Sequence, residues 1–275
     1  MPTDTIAMTP AEHAALRQVI ARHGRVEGSS KFLFSAVMPP VKGSPRDRAD
    51  KADLAVSYVL AGALLYASED HLRTIVLVIE KGPLPSYALF TLLRTAAEAE
   101  VRCMHLLDST ITEKLRLARA LNERLDNLDE QRKVDGNQVH FNQRVAYLEK
   151  RAVTNGIKPK RSNPKKGGVP QIIGFEGETV PSELELYSLY LREGSLAMRV
   201  LSGHVHSKPW VQLPISRARS TGDPKVVEIP TDVNVEVLAG VLDSVLTVRD
   251  ANVGYWLTLA GYPSDLWTKA TKAAP

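Results

Sequence analysis

The chain of 275 residues contains a single cysteine, Cys103, which excludes an internal disulfide bond and indicates a reducing compartment. One cysteine also excludes a zinc site built from several thiolates. Cys103 lies in the apolar run VRCMHLL, which favours a buried thiol over a nucleophile. Aromatic residues make up only 6% of the chain and there are 17 glycines, a composition that favours helices over a β-rich fold.

Long apolar runs are also missing. The most apolar stretch, 54–66, is shorter than the roughly 20 residues that a membrane span needs. The first residues show no basic region followed by an apolar core, so we expect no signal peptide, no membrane contact and a cytoplasmic protein. The phosphate-binding motifs GxxxxGK[ST] and GxGxxG and the nucleophile elbow GxSxG do not occur.

Charge is only mildly unbalanced, with 35 basic residues against 31 acidic ones and a net charge of +4. This balance permits contact with nucleic acid without implying it. One loop, 155–170, gathers basic residues with no acid among them: Lys158, Lys160, Arg161, Lys165 and Lys166. The functional interpretation is a contact with a phosphate backbone. Because no aromatic residue is interleaved with these charges, a solvated mobile loop is the favoured interpretation.

Apolar residues recur at helical spacing through most of the chain, which predicts an all-α bundle of about six to seven helices. We expect a small β-hairpin after residue 209, where two short apolar segments flank a polar turn. We also expect an N-terminal helix and irregular segment over 1–45, followed by the bundle domain over 46–275, into which the basic loop is inserted. The segments expected to be helical are 10–22, 47–81, 85–108, 111–133, 138–154, 182–208 and 233–259.

The densest cluster of chemically capable side chains lies near the end of the expected helix 182–208 and consists of Arg199, Ser202, His204 and His206. At about 100° per residue, Arg199 and His206 share a face, whereas His204 lies about 140° away from Arg199. We expect the helix to continue through Gly203, since the apolar spacing is kept across it and Pro209 is the stronger stop signal. The alternative interpretation is a helix end stabilised by His and Lys near the negative end of its dipole.

A second polar group lies on the expected helix 85–108. Arg94, Glu98 and His105 follow at steps of four and seven, so they share a face beside the apolar side of the helix. We expect an Arg94–Glu98 pair within a buried network that reaches Arg199 and His206. The alternative is a pair that only fixes the register of the helix.

Metal and cofactor chemistry have little support in the sequence. A di-iron carboxylate bundle needs Glu-x-x-His pairs on two helices, and such pairs are missing here. A metal site from dispersed residues is conceivable, but their spacing does not favour it: Asp70, His71, Glu98, His105 and His206. We therefore expect no metal and no cofactor.

Three short motifs carry a family resemblance: ASEDHL around Asp70 and His71, LLRTAAEAE around Arg94 and Glu98, and RVLSGHVH. Together they resemble uncharacterised bacterial helical proteins of the DUF5677-like type over most of 54–207. RVLSGHVH also fits the R-x4-6-H pattern of the HEPN superfamily, small helical bundles that include metal-independent ribonuclease toxins and defence proteins. The resemblance implies an RNA substrate and a homodimer whose Arg and His line a cleft between protomers. An antitoxin or other partner protein is left open.

Carried onto this chain, the resemblance makes His206, or His204, the acid and base at the ribose 2′-hydroxyl. Arg199 would hold the phosphate and Ser202 would assist. Asp70 and His71 would support the site together with the polar face of the helix 85–108. Val200 departs from the pattern, since catalytic members carry a polar residue directly after the Arg. This departure leaves open a non-catalytic interaction or scaffold protein, and a metal-dependent helical-bundle oxidase is a third alternative.

Overall fold

The computed structural model describes residues 9–23, 28, 33, 38–51, 55–81, 84–85, 87–163, 170–176, 180–208, 219–220, 227–228 and 235–272. This part of the chain contains ten helices. They are α1 (Pro10–His23), α2 (Pro45–Lys51), α3 (Val56–Lys81), α4 (Ala88–Leu107), α5 (Glu113–Asp135), α6 (Gln138–Thr154), α7 (Glu183–Tyr190), α8 (Gly194–Val205), α9 (Val235–Ala260) and α10 (Leu266–Lys272). Two antiparallel pairs of short strands accompany them: β1 (Pro159–Arg161) with β2 (Ile172–Phe175), and β3 (Arg219–Ser220) with β4 (Val227–Glu228).

The predicted all-α class is confirmed, as is the small hairpin after residue 209. Three helices exceed the expected seven, because the expected helices 47–81 and 182–208 are each divided in two and α10 was not expected. In the hairpin, β4 lies in the expected second segment, and β3 begins later in the chain than the expected first strand. The expected strand 210–215 lies outside the described residues, as do 29–32 and 34–37 of the expected irregular segment 28–45.

The long helices α3, α4 and α9 pass through two hydrophobic cores. In the first core, the second half of α3, most of α4 and the first half of α9 pack with α1, α7 and α8. In the second core, the end of α4 and the remaining halves of α3 and α9 pack with α2, α5, α6 and α10. Fifteen of the 26 residues of α9 are buried, which is typical of a helix at the centre of a bundle. The α7–α8 pair and the α5–α6 pair therefore lie at opposite ends of the long helices.

The expected single helix 182–208 is wrong, because the chain turns between Tyr190 and Gly194. Leu191 is extended, and Glu193 has a left-handed backbone with φ 52° and ψ 35°. A Cβ atom on Gly194 would lie 1.6 Å from the carbonyl oxygen of Tyr187. Only glycine permits this approach of the two helices, so α8 folds back against α7.

The expected irregular loop at 155–170 is wrong for its first part, since Pro159–Arg161 forms β1. β1 pairs with β2, in which Phe175 is buried. The Phe175 N–H donates to Asn122 Oδ1 at 2.8 Å, and the Phe175 carbonyl accepts from Asn122 Nδ2 at 3.4 Å. The base of the basic segment is therefore held against α5, while 164–169 lie outside the described residues.

Candidate functional site

The predicted catalytic residues lie on two different faces of α8. The helix stays regular through Gly203, and the His206 N–H still donates to the Ser202 carbonyl at 3.0 Å. Arg199 and His206 are exposed, whereas His204 is only 4% exposed. The structure thus agrees with the face assignment made from the 100° step.

His204 is a packed core residue. Its ring is parallel to that of Phe90, with 3.8 Å between centroids and 3° between planes, and it meets the Tyr87 ring edge-on at 6.3 Å. Burial lowers the pKa of His204, which favours the neutral imidazole at neutral pH. Within the described part of the chain, its buried Nδ1 atom has no hydrogen-bond partner. His204 is therefore placed to stabilise the α4–α8 contact rather than to meet a substrate in solvent.

The other candidates, Arg199, Ser202 and His206, lie on one face with Ser195, and we call these four residues the α8 polar face. Ser202 is half-buried, and the other three are exposed. The rise from Arg199 to His206 is about 10 Å, so the two side chains converge only through the length of the arginine. Among the described residues neither one forms an ion pair or a side-chain hydrogen bond, so both polar groups are available to a substrate.

The predicted pairing of Arg94 with Glu98 is wrong. Arg94 Nη2 lies 3.1 Å from Glu183 Oε2 at the start of α7, and Glu98 Oε1 lies 3.2 Å from Arg102 Nε. Both arginines are one turn from Glu98 on α4, so spacing alone leaves either pair possible. The carboxylate of Glu183 provides Arg94 with a partner that lies 89 positions away in the chain.

The polar side chains of this part of α4 form two separate groups instead of the one predicted network: Arg94 with Glu183, and Glu98 with Arg102. Arg102 Nη1 lies 3.0 Å from Glu123 Oε2 on α5, and the Glu123 side chain is 8% exposed. The Tyr187 hydroxyl donates to the Arg94 carbonyl at 3.2 Å, which connects α7 to α4. These contacts join α4, α5 and α7. The expectation that they reach Arg199 and His206 is wrong, because among the described residues neither of these side chains forms an ion pair or a side-chain hydrogen bond.

The remaining supporting candidates are scattered. His105 is 7% exposed, with Nδ1 3.4 Å from the Tyr190 hydroxyl. Burial, together with the nearby charge of Arg119, lowers the pKa of His105 to about 4. Asp70 forms an exposed pair with Arg73 at 3.1 Å. His71 is half-buried on α3 and has no hydrogen-bond partner within the described chain. The structure does not bring Asp70, His71 and His105 together with the α8 polar face.

The basic residues of 155–170 have separate environments. Lys158 and Lys160 are exposed beside and within β1. Arg161 of β1 forms an ion pair through its Nη2 atom with the carboxylate of Glu149 on α6. Lys165 and Lys166 lie outside the described residues. A phosphate-contacting role for this segment remains a prediction.

A buried polar cluster at the centre of the bundle was not foreseen. Glu100 of α4 and both Arg249 and Asn252 of α9 are each 1% exposed or less. Asn252 Nδ2 donates to Glu100 Oε2 at 2.6 Å and to the Glu100 carbonyl at 2.9 Å. Burial raises the pKa of Glu100 to about 7, although Asn252 and the charge of Arg249 oppose the shift. The sequence feature that could have revealed this cluster is a charged residue at a core position of the helical pattern, since Glu100 lies between Ala97 and Met104 at helical spacing.

Metal ligands are not gathered in the described part of the chain, where no group of three or more His, Cys, Asp or Glu side chains is placed to hold an ion. The dispersed set considered above, from Asp70 to His206, therefore does not converge. None of the described helices combines the length and the apolar composition needed to cross a bilayer. Comparison with protein-family models, curated proteins and solved structures finds no match.

Proposed function

We propose that the protein is an HEPN-like, metal-independent endoribonuclease of the toxin or defence type. The observation that carries this proposal is the exposure of Arg199 and His206 on one face of α8, without an ion pair among the described residues. If Arg199 and His206 had a structural role, their side chains would be expected to contact other residues of the fold, as the His204 ring contacts Phe90. An exposed guanidinium and imidazole can instead act on a phosphodiester in solvent.

The chemistry follows from the two side chains. The His206 imidazole takes the proton of a ribose 2′-hydroxyl, so the 2′-oxygen can attack the neighbouring phosphorus. The bond to the 5′-oxygen breaks, and this leaving oxygen takes up a proton from an imidazolium or from water. Arg199 binds the phosphate oxygens and stabilises the charge that develops on them. No step requires a metal ion.

A second copy of the chain completes the site in this proposal. In a two-fold interface each residue that contacts a partner is matched by the reciprocal contact. Two α8 helices that cross in this way bring Arg199 of one copy near His206 of the other, which overcomes the spacing of about 10 Å along one helix. Leu189 and Leu196 are 66% and 55% exposed on α7 and α8, and exposed apolar residues of this kind suit an interface.

The second candidate function is a non-catalytic interaction module. Two observations favour it: Val200 follows Arg199 where catalytic members of the superfamily carry a polar residue, and Leu184, Leu189 and Leu196 are all exposed. In that case the same surface binds a protein partner, and the arginine and histidine contribute only charge and hydrogen bonds.

The decisive experiment is incubation of the purified protein with labelled single-stranded RNA in EDTA. His206→Ala and Arg199→Ala should each reduce cleavage at least about 100-fold, since proton transfer and charge stabilisation are both lost. Arg192→Ala, which removes an exposed arginine from the turn between α7 and α8, is the matched control and should leave cleavage unchanged. Circular dichroism of each variant verifies that the fold is intact.

The two candidate functions predict different outcomes. Cleavage that survives both substitutions would place the active site elsewhere. If the native protein cleaves no RNA but sediments as a dimer that Leu196→Glu dissociates, the interaction module is the better description. Cleavage that is lost together with the dimer in Leu196→Glu supports a site shared between two copies.

A further inference from the structure

A concave site lies at the end of the bundle opposite the α8 polar face, between α5 and α6 with one side against α3. It is a cleft of about 350 Å³, at the lower end of the range for small-molecule sites. Its lining residues follow helical spacing, at 124, 127, 128 and 131 on α5 and at 144, 147 and 148 on α6. Leu128 and Leu148, both buried, form its apolar floor.

Two arginines line this cleft from opposite helices, Arg124 from α5 and Arg144 from α6. Within the described chain neither has an ion pair, and no Asp or Glu is among the lining residues. By contrast, Arg132 of α5 pairs with Asp129 at 2.6 Å. Two like charges that share a concavity without a counter-ion create a positive potential that attracts an anion.

The rest of the lining has uncharged hydrogen-bonding groups and an aromatic ring. Asn127 and Gln131 are exposed, and each side-chain amide offers two N–H donors and an acceptor. Tyr147 is 56% exposed, so part of its ring is open to solvent at the rim. Arginines that bind phosphate, amides that read polar edges and an open aromatic ring that stacks are the features used to recognise nucleotides.

We propose that this cleft binds one phosphate-bearing nucleotide unit. Arg124 and Arg144 hold the phosphate, the base stacks on Tyr147, and the amides of Asn127 and Gln131 contact the edge of the base. The unit can come from a free nucleotide or from one residue of an RNA chain, since both present the same groups to the cleft.

This site is separate from the α8 polar face. The α5–α6 pair packs on the second core, and α7 and α8 pack on the first. Binding at the cleft needs neither Arg199 nor His206, so a protein without nuclease activity would still bind the nucleotide. A binding experiment therefore tests the cleft independently of the proposed function.

The experiment is titration calorimetry of the full chain with four probes: AMP, adenosine, inorganic phosphate and a short single-stranded RNA. The RNA is titrated into the His206→Ala variant of the protein, so that it is not cleaved. AMP or the RNA should bind, with adenosine and inorganic phosphate at least about tenfold weaker, because each lacks one of the two recognised groups. Arg124→Ala and Arg144→Ala should each weaken binding about tenfold or more, and added salt should weaken it further. Arg17→Ala, an exposed arginine of α1, is the control of equal charge change and should have no effect.

Each outcome decides the proposal. Binding of AMP identifies a free nucleotide as a sufficient ligand, and binding of RNA alone identifies a nucleotide within a chain. Tyr147→Leu should reduce affinity for the nucleotide while leaving the weak affinity for phosphate unchanged. The proposal is overturned if neither AMP nor RNA binds, if phosphate binds as tightly as AMP, or if both arginine variants bind like the native protein.

Discussion

The imidazole of His204 lies parallel to the phenyl ring of Phe90, with 3.8 Å between the two centroids. This stack joins α8 to the first turn of α4, inside the first core. The neighbouring His206, two positions later, makes no such contact and is exposed. Two histidines in one short motif therefore have different physical roles, which their substitutions should separate.

His204→Ala should destabilise the fold, because it removes a ring that is buried and stacked. We expect a loss of about 2–3 kcal/mol in the free energy of unfolding, measured by urea denaturation. His204→Phe, which preserves a stacked ring, should recover most of this loss. His206→Ala should change stability by less than about 0.5 kcal/mol, as an exposed residue does. If His206→Ala is the more destabilising substitution, the orientation of α8 described here is incorrect.

Gly194→Ala should be among the most damaging single substitutions in the chain. The added methyl group would lie 1.6 Å from the carbonyl oxygen of Tyr187, so α7 and α8 would have to separate. We expect a loss of more than about 3 kcal/mol by thermal or urea unfolding. Gly240→Ala is the matched control in α9, where nothing lies within 4 Å of the added atom. That variant should be neutral or more stable by up to about 1 kcal/mol, since alanine favours the helix.

Arg102→Ala should cost far more than Arg73→Ala, although both remove an arginine from an ion pair. The Arg102 and Glu123 side chains are 20% and 8% exposed, so the carboxylate of Glu123 would remain buried without its partner. We expect about 3 kcal/mol for this change. Arg73 and Asp70 are 52% and 61% exposed, and their separation should cost less than about 0.5 kcal/mol.

A second variant tests the reason for that loss. In Arg102→Met with Glu123→Leu, no buried carboxylate is left without a partner. This double variant should therefore be more stable than Arg102→Ala alone. Equal stability of the two would show that the loss comes from packing and not from the uncompensated charge.

Glu100 should make the folded chain less stable as the pH rises. Burial raises its pKa to about 7 from an ordinary value of 4.5, so between these values the folded chain holds a proton that the unfolded chain releases. The stabilising contribution is complete below about pH 4.5 and is lost as the pH rises through about 7. A shift of this size corresponds to about 3 kcal/mol.

Glu100→Gln isolates this effect, because the amide keeps nearly the same shape and does not titrate. The free energy of unfolding of both proteins should be measured in urea at pH 5 and pH 8. The native protein should lose stability relative to the variant between these two values, since all other titrating groups are common to both. Parallel pH profiles would mean that Glu100 is already ionised in the folded state at pH 5.

The sequence was sufficient for the helical class and for the faces of α8, because the 3.6-residue period fixes the direction of every side chain on a regular helix. It could not show that Arg94 binds Glu183, since that pair depends on how two helices distant in the chain pack together. Glu98 and Arg102 are also one turn apart, and only the packed structure distinguishes this pair from Arg94–Glu98.

The division of the expected helix 182–208 was harder to foresee. Leu191 and Met198 continue the apolar spacing across the turn, which conceals it. The residue that marks the turn is Gly194, which follows Glu193 with its left-handed backbone. A glycine is required there because the carbonyl of Tyr187 approaches it, and that contact is visible only in the folded structure. Glu100 was missed for a related reason: a period identifies a core position, but it does not show that a carboxyl group is tolerated there.

The side chain of Asn122 has the same donor and acceptor pair as a peptide group, and it uses both on the backbone of Phe175. Asn122 of α5 therefore makes the two hydrogen bonds to β2 that one peptide unit of a neighbouring strand would make. A strand of another chain that approached Phe175 would find its N–H and carbonyl already bonded. Asn122 thus protects this end of the hairpin from intermolecular β-sheet extension, which is a common route to aggregation.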